Sequence, residues 1–281
     1  MPKCDVCHNR CDLEEGDFGL CRARKYESGS FKCANYGLVT SIALDPIEKK
    51  PLNMFFPGAN IISVGSFGCN LRCPFCQNHE ISYGFGREYD MGYRYISPEE
   101  LADIAEEYRD RGNIGVAFTY NEPLVGYEYV IDASKEVHKR GMMTVLVSNG
   151  CVSKRVRDLV LPHIDAMNID LKGFTDAYYN DVLRGDRSLV MSFIEAAAKV
   201  CHVEVTTLVV PGFNDSEQEM GQVAAWIAGL NDGKGKENVA LHISRYFPRF
   251  KMAVPATDVG VVYRLADVAR RHLDHVYEGN C

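Results

Sequence analysis

Short apolar runs alternate with amphipathic helical patterns along most of this chain, and this alternation constrains the fold more than any other feature. The runs are rich in Val and Ile and are mostly apolar on both faces, which is typical of parallel strands covered by helices. They predict strands over residues 61–66, 114–119, 143–147, 166–170, 203–210 and 239–243, with an earlier strand over 36–44.

Capping signals and periodic apolar residues predict the helices between these strands. Ser97 suits an N-cap, Pro98 the first helical position, and Glu100 completes a capping box. A later helix carries Met220, Val223, Ala224 and Ile227 on one face, and others are predicted over 124–139, 153–161, 188–200 and 257–273.

About six βα units indicate an α/β fold, a partial (β/α)6 TIM-like barrel with fewer units than a closed barrel. A doubly wound sheet is the alternative, because periodicity does not distinguish the two. Both architectures place ligands at the carboxyl ends of the strands, so the chemistry is expected there.

The 11 Cys residues are unevenly distributed, with seven of them in the first 73 residues. Residues 1–36 have little periodic apolar sequence, so we expect a small cysteine-rich metal-binding module there, followed by the barrel over 37–281. The start of the chain does not resemble a signal peptide, and no apolar run approaches the roughly 20 residues that span a membrane. A cytoplasmic protein is expected, in which clustered thiols bind metals or serve redox chemistry.

The charge balance gives no support to nucleic-acid binding. Lys and Arg total 31 against 38 Asp and Glu, for a formal charge of −7. A weakly acidic chain lacks the basic surface by which proteins usually attract nucleic acid. Nucleic acid is therefore not an expected partner.

Three cysteines stand close together on the loop that follows the strand at 61–66. Cys69, Cys73 and Cys76 have the spacing C-x3-C-x2-C, and Gly65 and Gly68 precede them. Three thiolates can bind three irons of a [4Fe–4S] cluster, which leaves the fourth iron open to another ligand. A structural zinc knot is the alternative interpretation of the spacing alone.

With Phe75 as the aromatic residue before the last cysteine, this loop resembles that of the radical S-adenosylmethionine (SAM) superfamily. The resemblance implies that SAM chelates the open iron through its amino and carboxylate groups. It further implies that an electron passed through the cluster cleaves SAM to a 5′-deoxyadenosyl radical, which abstracts a hydrogen atom.

Segments after later strands resemble the elements by which this superfamily binds SAM. Asn121, Glu122 and Pro123 resemble the end of a Gly-Gly-Glu-Pro element, in which the carboxylate meets the SAM ammonium group. Relative to the pyruvate formate-lyase activating enzyme, the resemblance implies cofactor contacts by Ser148, Asn149, Asp170, Lys172 and Arg245, together with Phe75 and Gln77 beside the cysteines.

The resemblance narrows to the AmmeMemoRadiSam subgroup, which is related to that activating enzyme. The segments that resemble this subgroup are residues 45–52, Cys76-Gln77-Asn78, residues 119–123, residues 170–174 and residues 244–248.

Four further thiols, Cys4, Cys7, Cys11 and Cys21, lie within 18 residues near the amino terminus. A tetrahedral zinc site is the more economical interpretation, because zinc would hold together a segment with almost no core. An auxiliary iron–sulfur cluster is the alternative, and His8 could replace one thiol.

The sequence therefore predicts a radical SAM oxidoreductase that uses a [4Fe–4S] cluster and SAM. A flavodoxin or ferredoxin is the expected electron donor. The leading hypothesis for the substrate is a glycine of a partner protein, as in a glycyl-radical-enzyme activating enzyme. A small molecule or another macromolecule is the rival substrate, and a non-catalytic iron–sulfur or zinc scaffold is the non-enzymatic alternative.

Overall fold

Eight strands form one mostly parallel sheet in the computed structural model, which describes residues 1–83 and 92–281. In chain order the strands are β1 (Arg24–Glu27), β2 (Ser30–Cys33), β3 (Leu38–Val39), β4 (Ser41–Pro46), β5 (Asn60–Gly65), β6 (Arg94–Tyr95), β7 (Asn113–Phe118), β8 (Met143–Ser148), β9 (Ala166–Asp170), β10 (His202–Val209), β11 (Ala240–Arg245) and β12 (Val276–Gly279).

The large sheet has the order β12-β11-β10-β9-β8-β7-β5-β4. Every neighbouring pair from β5 to β12 is parallel, whereas β4 pairs antiparallel with β5. Within the described ranges β4 and β12 form free edges that do not pair with each other, so the barrel is open. This architecture confirms the predicted partial barrel.

The helices are α1 (His79–Tyr83), α2 (Pro98–Glu107), α3 (Tyr127–Lys139), α4 (Lys154–Val160), α5 (Arg187–Ala197), α6 (Glu217–Ala228), α7 (Gly235–Asn238) and α8 (Val259–Ala269), with a π-helix at Tyr178–Leu183. The predicted capping at the start of α2 is confirmed, because the Ser97 side chain accepts a hydrogen bond from the Glu100 N–H at 3.1 Å. Each helix predicted from periodicity overlaps an observed one.

The strand predictions differ from the structure in several places, and the short strands β1, β2 and β6 were not predicted. The single strand expected over 36–44 is two strands, β3 and β4, and β4 continues through Asp45 and Pro46. The sheet also has a seventh parallel strand, β12. The sequence does not show β12 because Val276–Gly279 is short and contains a glutamate and a glycine.

Alternate strand residues face opposite sides of the sheet, and each side has its own core. The outer side packs against the helices. The inner side contains a small apolar cluster of Ile47, Leu52, Ile61, Ala117, Val145 and Ala166. Ile47 and Leu52 come from the loop after β4, so this loop closes one end of the barrel interior.

The amino-terminal segment packs against the loops that follow β5 and β8. Cys7 forms a β-bridge with Val152, and the Ser153 N–H donates to the Val6 carbonyl at 2.9 Å. The buried Arg24 pairs with Glu128 of α3 at 2.7 Å. None of the described helices combines the length and the hydropathy that a bilayer-crossing segment needs.

Candidate active site

A cavity of about 540 Å³ opens at the carboxyl ends of β5, β7, β8 and β9. Topology explains this location, because the ends of parallel strands meet at one rim of the barrel. The cavity collects the residues predicted for the cluster and for SAM, with one exception, namely Cys69, Cys73, Phe75, Cys76, Gln77, Asn121, Glu122, Ser148, Asn149, Asp170 and Lys172.

The three cysteines lie on the loop that leaves β5. Gly68 permits its sharp turn, since φ is +93° and a Cβ atom there would lie 2.5 Å from the Cys21 carbonyl oxygen. Burial raises the pKa of the Cys69 thiol well above its ordinary value and that of Cys73 to about 11. The Asn149 amide lies 3.8 Å from Cys69 Sγ and also donates to Asn70 Oδ1 at 2.9 Å.

The thiols of this loop face one cavity but do not form a closed ligand set. Across residues 1–83 and 92–281, no group of three or more His, Cys, Asp or Glu side chains is arranged to hold a metal ion. The donor set suits an iron–sulfur cluster chemically, because thiolates are its normal ligands. Each cysteine of such a cluster binds a different iron, so the three sulfurs need not converge on one point.

Glu122 lies at the centre of a network that joins the loops after β7 and β8. Its carboxylate accepts hydrogen bonds from Ser148 Oγ at 2.7 Å, from the Asn149 N–H at 2.8 Å and from the Leu124 N–H at 3.0 Å. Burial outweighs these donors and raises the pKa of Glu122 to about 7. A bound cation would favour the ionised form and offset this burial cost.

Asn121 braces the cysteine loop. Its side chain accepts from the Ser66 N–H at 3.0 Å and donates to the Gly68 carbonyl at 3.1 Å. The structure therefore ties most of this amide to the loop, whereas the sequence suggested only a cofactor contact.

Asp170 and Lys172 form an ion pair at the end of β9, with Nζ 2.8 Å from Oδ2. Burial alone would lower the pKa of Lys172, but Asp170 and Cys73 outweigh it and raise that pKa. The Lys172 N–H donates to the Tyr179 hydroxyl at 3.0 Å, which anchors the segment to the π-helix. A cationic lysine thus lies in the cavity with the cysteines.

Arg245 is the exception among the predicted cofactor residues. Its Nε donates to the Thr257 carbonyl at 2.7 Å, and its guanidinium lies over the Phe247 ring at 4.7 Å. Its neighbour Ser244 lines the cavity instead. Alternation along β11 explains the difference, because adjacent residues face opposite sides of the sheet. The structure does not bring Arg245 into the cavity, unlike the other residues predicted to contact the cofactor.

A second lysine–aspartate pair, which the sequence did not indicate, is buried. Lys50 Nζ donates to Asp45 Oδ2 at 2.9 Å, and Asp45 also accepts from Lys49 and from the Tyr120 hydroxyl. Burial lowers the pKa of Lys50. Lys49, Lys50 and Tyr120 line the cavity beside the free edge at β4. The stretch 45–52, which carries part of the family resemblance, was the available signal.

The four amino-terminal thiols lie near one another outside the cavity. The Cys4 N–H donates to the Cys11 carbonyl at 3.0 Å, and the Leu20 N–H lies 3.4 Å from Cys11 Sγ. Burial raises the pKa of Cys7 to about 12, and the neighbouring Cys21 and Cys4 thiols add to the effect. His8 is instead 3.1 Å from Cys151 Sγ through its Nδ1 atom.

Comparison with known proteins identifies the family of the chain. Residues 63–224 match the radical SAM superfamily. The chain is 36% identical to an uncharacterized protein of Methanocaldococcus jannaschii, over 99% of this chain and 81% of the relative. It is 25% identical to the pyruvate formate-lyase-activating enzyme of Clostridium pasteurianum, over 62% of this chain and 72% of that enzyme.

A solved structure gives the same fold. The radical SAM methyltransferase from Sphaerobacter thermophilus superimposes with a TM-score of 0.59 at 15% identity, over 80% of this chain and 67% of that one. The superfamily implies a [4Fe–4S] cluster and SAM, and the cavity holds thiols and charged groups suited to both. The chain therefore belongs to the radical SAM superfamily and is homologous to the pyruvate formate-lyase activating enzymes.

Proposed function

We propose that this protein is a radical SAM enzyme that abstracts a hydrogen atom from a partner polypeptide, as an activating enzyme does. One observation carries the proposal: a single cavity brings together three thiols, a buried glutamate and a half-buried lysine–aspartate pair. Cys69, Cys73 and Cys76 would hold the [4Fe–4S] cluster. When bound, the cluster and SAM supply reductive cleavage of SAM and hydrogen-atom abstraction.

The charged residues of the cavity are suited to the two ends of an amino acid. Glu122 has a raised pKa, and a nearby ammonium group would restore its charge. Lys172 is held cationic by Asp170 and matches a carboxylate. We therefore assign the SAM ammonium group to Glu122 and its carboxylate to Lys172.

Asn149 would couple cofactor binding to the cluster loop. Its backbone N–H donates to Glu122, while its side chain contacts Cys69 and Asn70. The apolar walls formed by Leu71, Phe75, Val147 and Leu208 would exclude water from the reacting atoms.

The choice of a protein substrate is supported by relatives and by the shape of the barrel. Relatives at 21–25% identity include activating enzymes of pyruvate formate-lyase and of indoleacetate decarboxylase. The cavity is lined at both free edges of the sheet, by Lys49 and Lys50 after β4 and by Asn280 after β12. An opening between two unpaired edges would admit a loop of another protein.

Deuterium tracing tests this assignment. The reconstituted enzyme is incubated with SAM, a reductant and candidate partner proteins labelled with deuterated glycine. We expect deuterium in 5′-deoxyadenosine only with the true partner. Transfer from a labelled small molecule, with none from glycine of any partner, would support the rival substrate class. Absence of SAM cleavage by the reduced, cluster-loaded protein would leave the scaffold interpretation.

The amino-terminal thiols form a separate proposal. We assign zinc to Cys4, Cys7, Cys11 and Cys21, since a metal would hold together a segment with little apolar core. The four sulfurs are not arranged around one point in the described residues, so zinc binding would draw them together. Elemental analysis of the purified protein should give about one zinc per chain. That zinc should be lost in Cys7→Ser and kept in Cys73→Ala. Iron in place of zinc at this site would favour the auxiliary cluster.

A further inference from the structure

The cysteine loop has a second face, directed away from the cavity. We propose that the groove on this outer face docks an acidic protein that carries one electron to the cluster. The inference rests on the proposed function and adds to it the place where the electron enters.

The groove encloses about 570 Å³ between the amino-terminal segment, the cysteine loop and the segment around Phe250. Its cations are Arg22, Arg72 and Lys251, and its apolar surface includes Leu20, Pro74 and Phe250. Leu20 is 43% exposed and Phe250 is 38% exposed. Aromatic and aliphatic groups within a ring of charge are typical of a protein-binding surface.

The groove and the cavity meet at Tyr83, which lines both, and at the cysteine loop. Cys73 lines the cavity, whereas its chain neighbours Arg72 and Pro74 line the groove. A carrier seated in the groove is therefore close to a cluster ligand without entering the space assigned to SAM and substrate. Electron entry and hydrogen abstraction can then use opposite faces of one loop.

The walls of the groove are fastened to this loop. The Arg72 guanidinium donates to the Cys69 carbonyl at 2.9 Å and to the Leu71 carbonyl at 2.7 Å, and it also donates to the Leu20 carbonyl. The Lys251 N–H donates to the Pro74 carbonyl at 2.9 Å. The docking surface and the cluster ligands thus form one hydrogen-bonded unit.

The cationic side chains of the groove favour an acidic partner protein. Among the described residues no carboxylate lines the groove, and neither Arg22 nor Lys251 takes part in an ion pair. The whole chain carries a net charge of −7, so the rest of the surface repels an acidic protein. A local cationic patch on an acidic protein orients an incoming acidic partner before contact.

The redox step balances with a flavodoxin as the carrier. The flavin hydroquinone anion loses one electron and becomes the neutral semiquinone. A [4Fe–4S] cluster held by Cys69, Cys73 and Cys76 would accept that electron, and its charge would change from 2+ to 1+. No proton and no further reactant is needed.

A charge-reversal experiment tests the groove directly. The double variant Arg22→Glu/Lys251→Glu is compared with Lys199→Glu/Arg271→Glu, which reverses one exposed Lys and one exposed Arg before β10 and β12, at the opposite end of the barrel. Arg72 is left unchanged because it braces the cysteine loop. Two readouts are used: the rate of cluster bleaching by photoreduced flavodoxin, and binding of oxidised flavodoxin to immobilised protein.

We expect the groove variant to lose at least about tenfold in both readouts at about 20 mM salt, with the loss shrinking at high salt. Reduction by dithionite should stay within about twofold of wild type, because a small reductant needs no docking surface. The control variant should behave as wild type with both reductants.

The proposal would be overturned if the groove variant bound flavodoxin and was reduced by it as well as wild type. It would also be overturned if the groove and control variants lost flavodoxin binding and reduction equally. Equal losses of the reduction rate with dithionite and with flavodoxin in the groove variant would overturn it too. The proposed function fails separately, if dithionite-reduced wild-type protein does not cleave SAM. Binding of oxidised flavodoxin still tests the groove in that case, because the binding measurement requires no turnover of SAM.

Discussion

Tyr120 donates a 2.9 Å hydrogen bond to Asp45 from a left-handed backbone, with φ of +72°. Its ring lies over Gly65, where a Cβ atom would be 2.7 Å from Tyr120 Cδ2, and 4.9 Å from Lys50 Nζ. A tyrosine in this conformation costs about 1–2 kcal/mol relative to glycine. The wall of the cavity beside β4 thus depends on a strained residue that its neighbours hold in place.

The contact between Tyr120 and Gly65 predicts strong coupling between these two positions. Gly65→Ala should destabilise the wild-type protein by about 1–3 kcal/mol, because the new methyl group overlaps the ring. The same change should cost at least about 1 kcal/mol less in a Tyr120→Gly background. Urea unfolding of the four proteins measures the difference. Additive effects would show that the ring does not restrict Gly65.

The two aspartate-paired lysines of the cavity, Lys172 and Lys50, should differ in their effect on SAM affinity. Lys172→Met should weaken SAM binding by about tenfold or more, because a carboxylate loses its charged partner. Lys50→Met is the matched control, since it removes the other lysine–aspartate pair of the cavity and should leave SAM affinity within about twofold. Equilibrium binding to the reconstituted protein tests this. Equal losses would contradict the assignment of the SAM carboxylate to Lys172.

Arg245 should have little effect on SAM, because its guanidinium is bonded to Thr257 outside the cavity. Arg245→Gln is expected to leave SAM affinity within about twofold and to lower stability modestly, by about 1 kcal/mol. Binding and unfolding are measured on the same preparation. A tenfold loss of affinity with unchanged stability would restore the expectation drawn from the sequence.

The sequence predicts the cysteine loop and most of the cavity residues, but not how two of the charged residues are placed. The β5 loop and the carboxyl-end segments were predictable, because each follows a strongly apolar strand and contains unusual polar residues. The side of the sheet on which the Arg245 side chain lies was not predictable, because it depends on the strand register at the last residue of β11. The pair of Lys50 and Asp45 was also hidden, because it forms only when the loop after β4 folds into the barrel.

A second buried glutamate should make the fold sensitive to acid. Burial alone would raise the pKa of Glu204, but hydrogen bonds from His202, His242 and two backbone N–H groups outweigh it and lower the pKa to about 2. The resulting stability is present above the unfolded-state pKa near 4.5 and is lost as the pH falls toward 2.

Urea unfolding between pH 2.5 and 7 should show this loss, with Glu204 contributing up to about 3 kcal/mol. Glu204→Gln should be less stable than wild type at pH 7 and should have a flatter profile below pH 4.5. Parallel profiles for the two proteins would mean that other carboxyl groups cause the acid sensitivity.

The central claim is that Cys73 and its two neighbours hold a cluster that cleaves SAM. It is tested most directly by 5′-deoxyadenosine release from anaerobically reconstituted protein reduced with dithionite. Wild type and Cys201→Ala, a half-buried cysteine before β10, should release the product. Cys73→Ala should release at least about a hundredfold less, because only two cluster thiolates remain. Product release by Cys73→Ala at the wild-type rate would contradict the account.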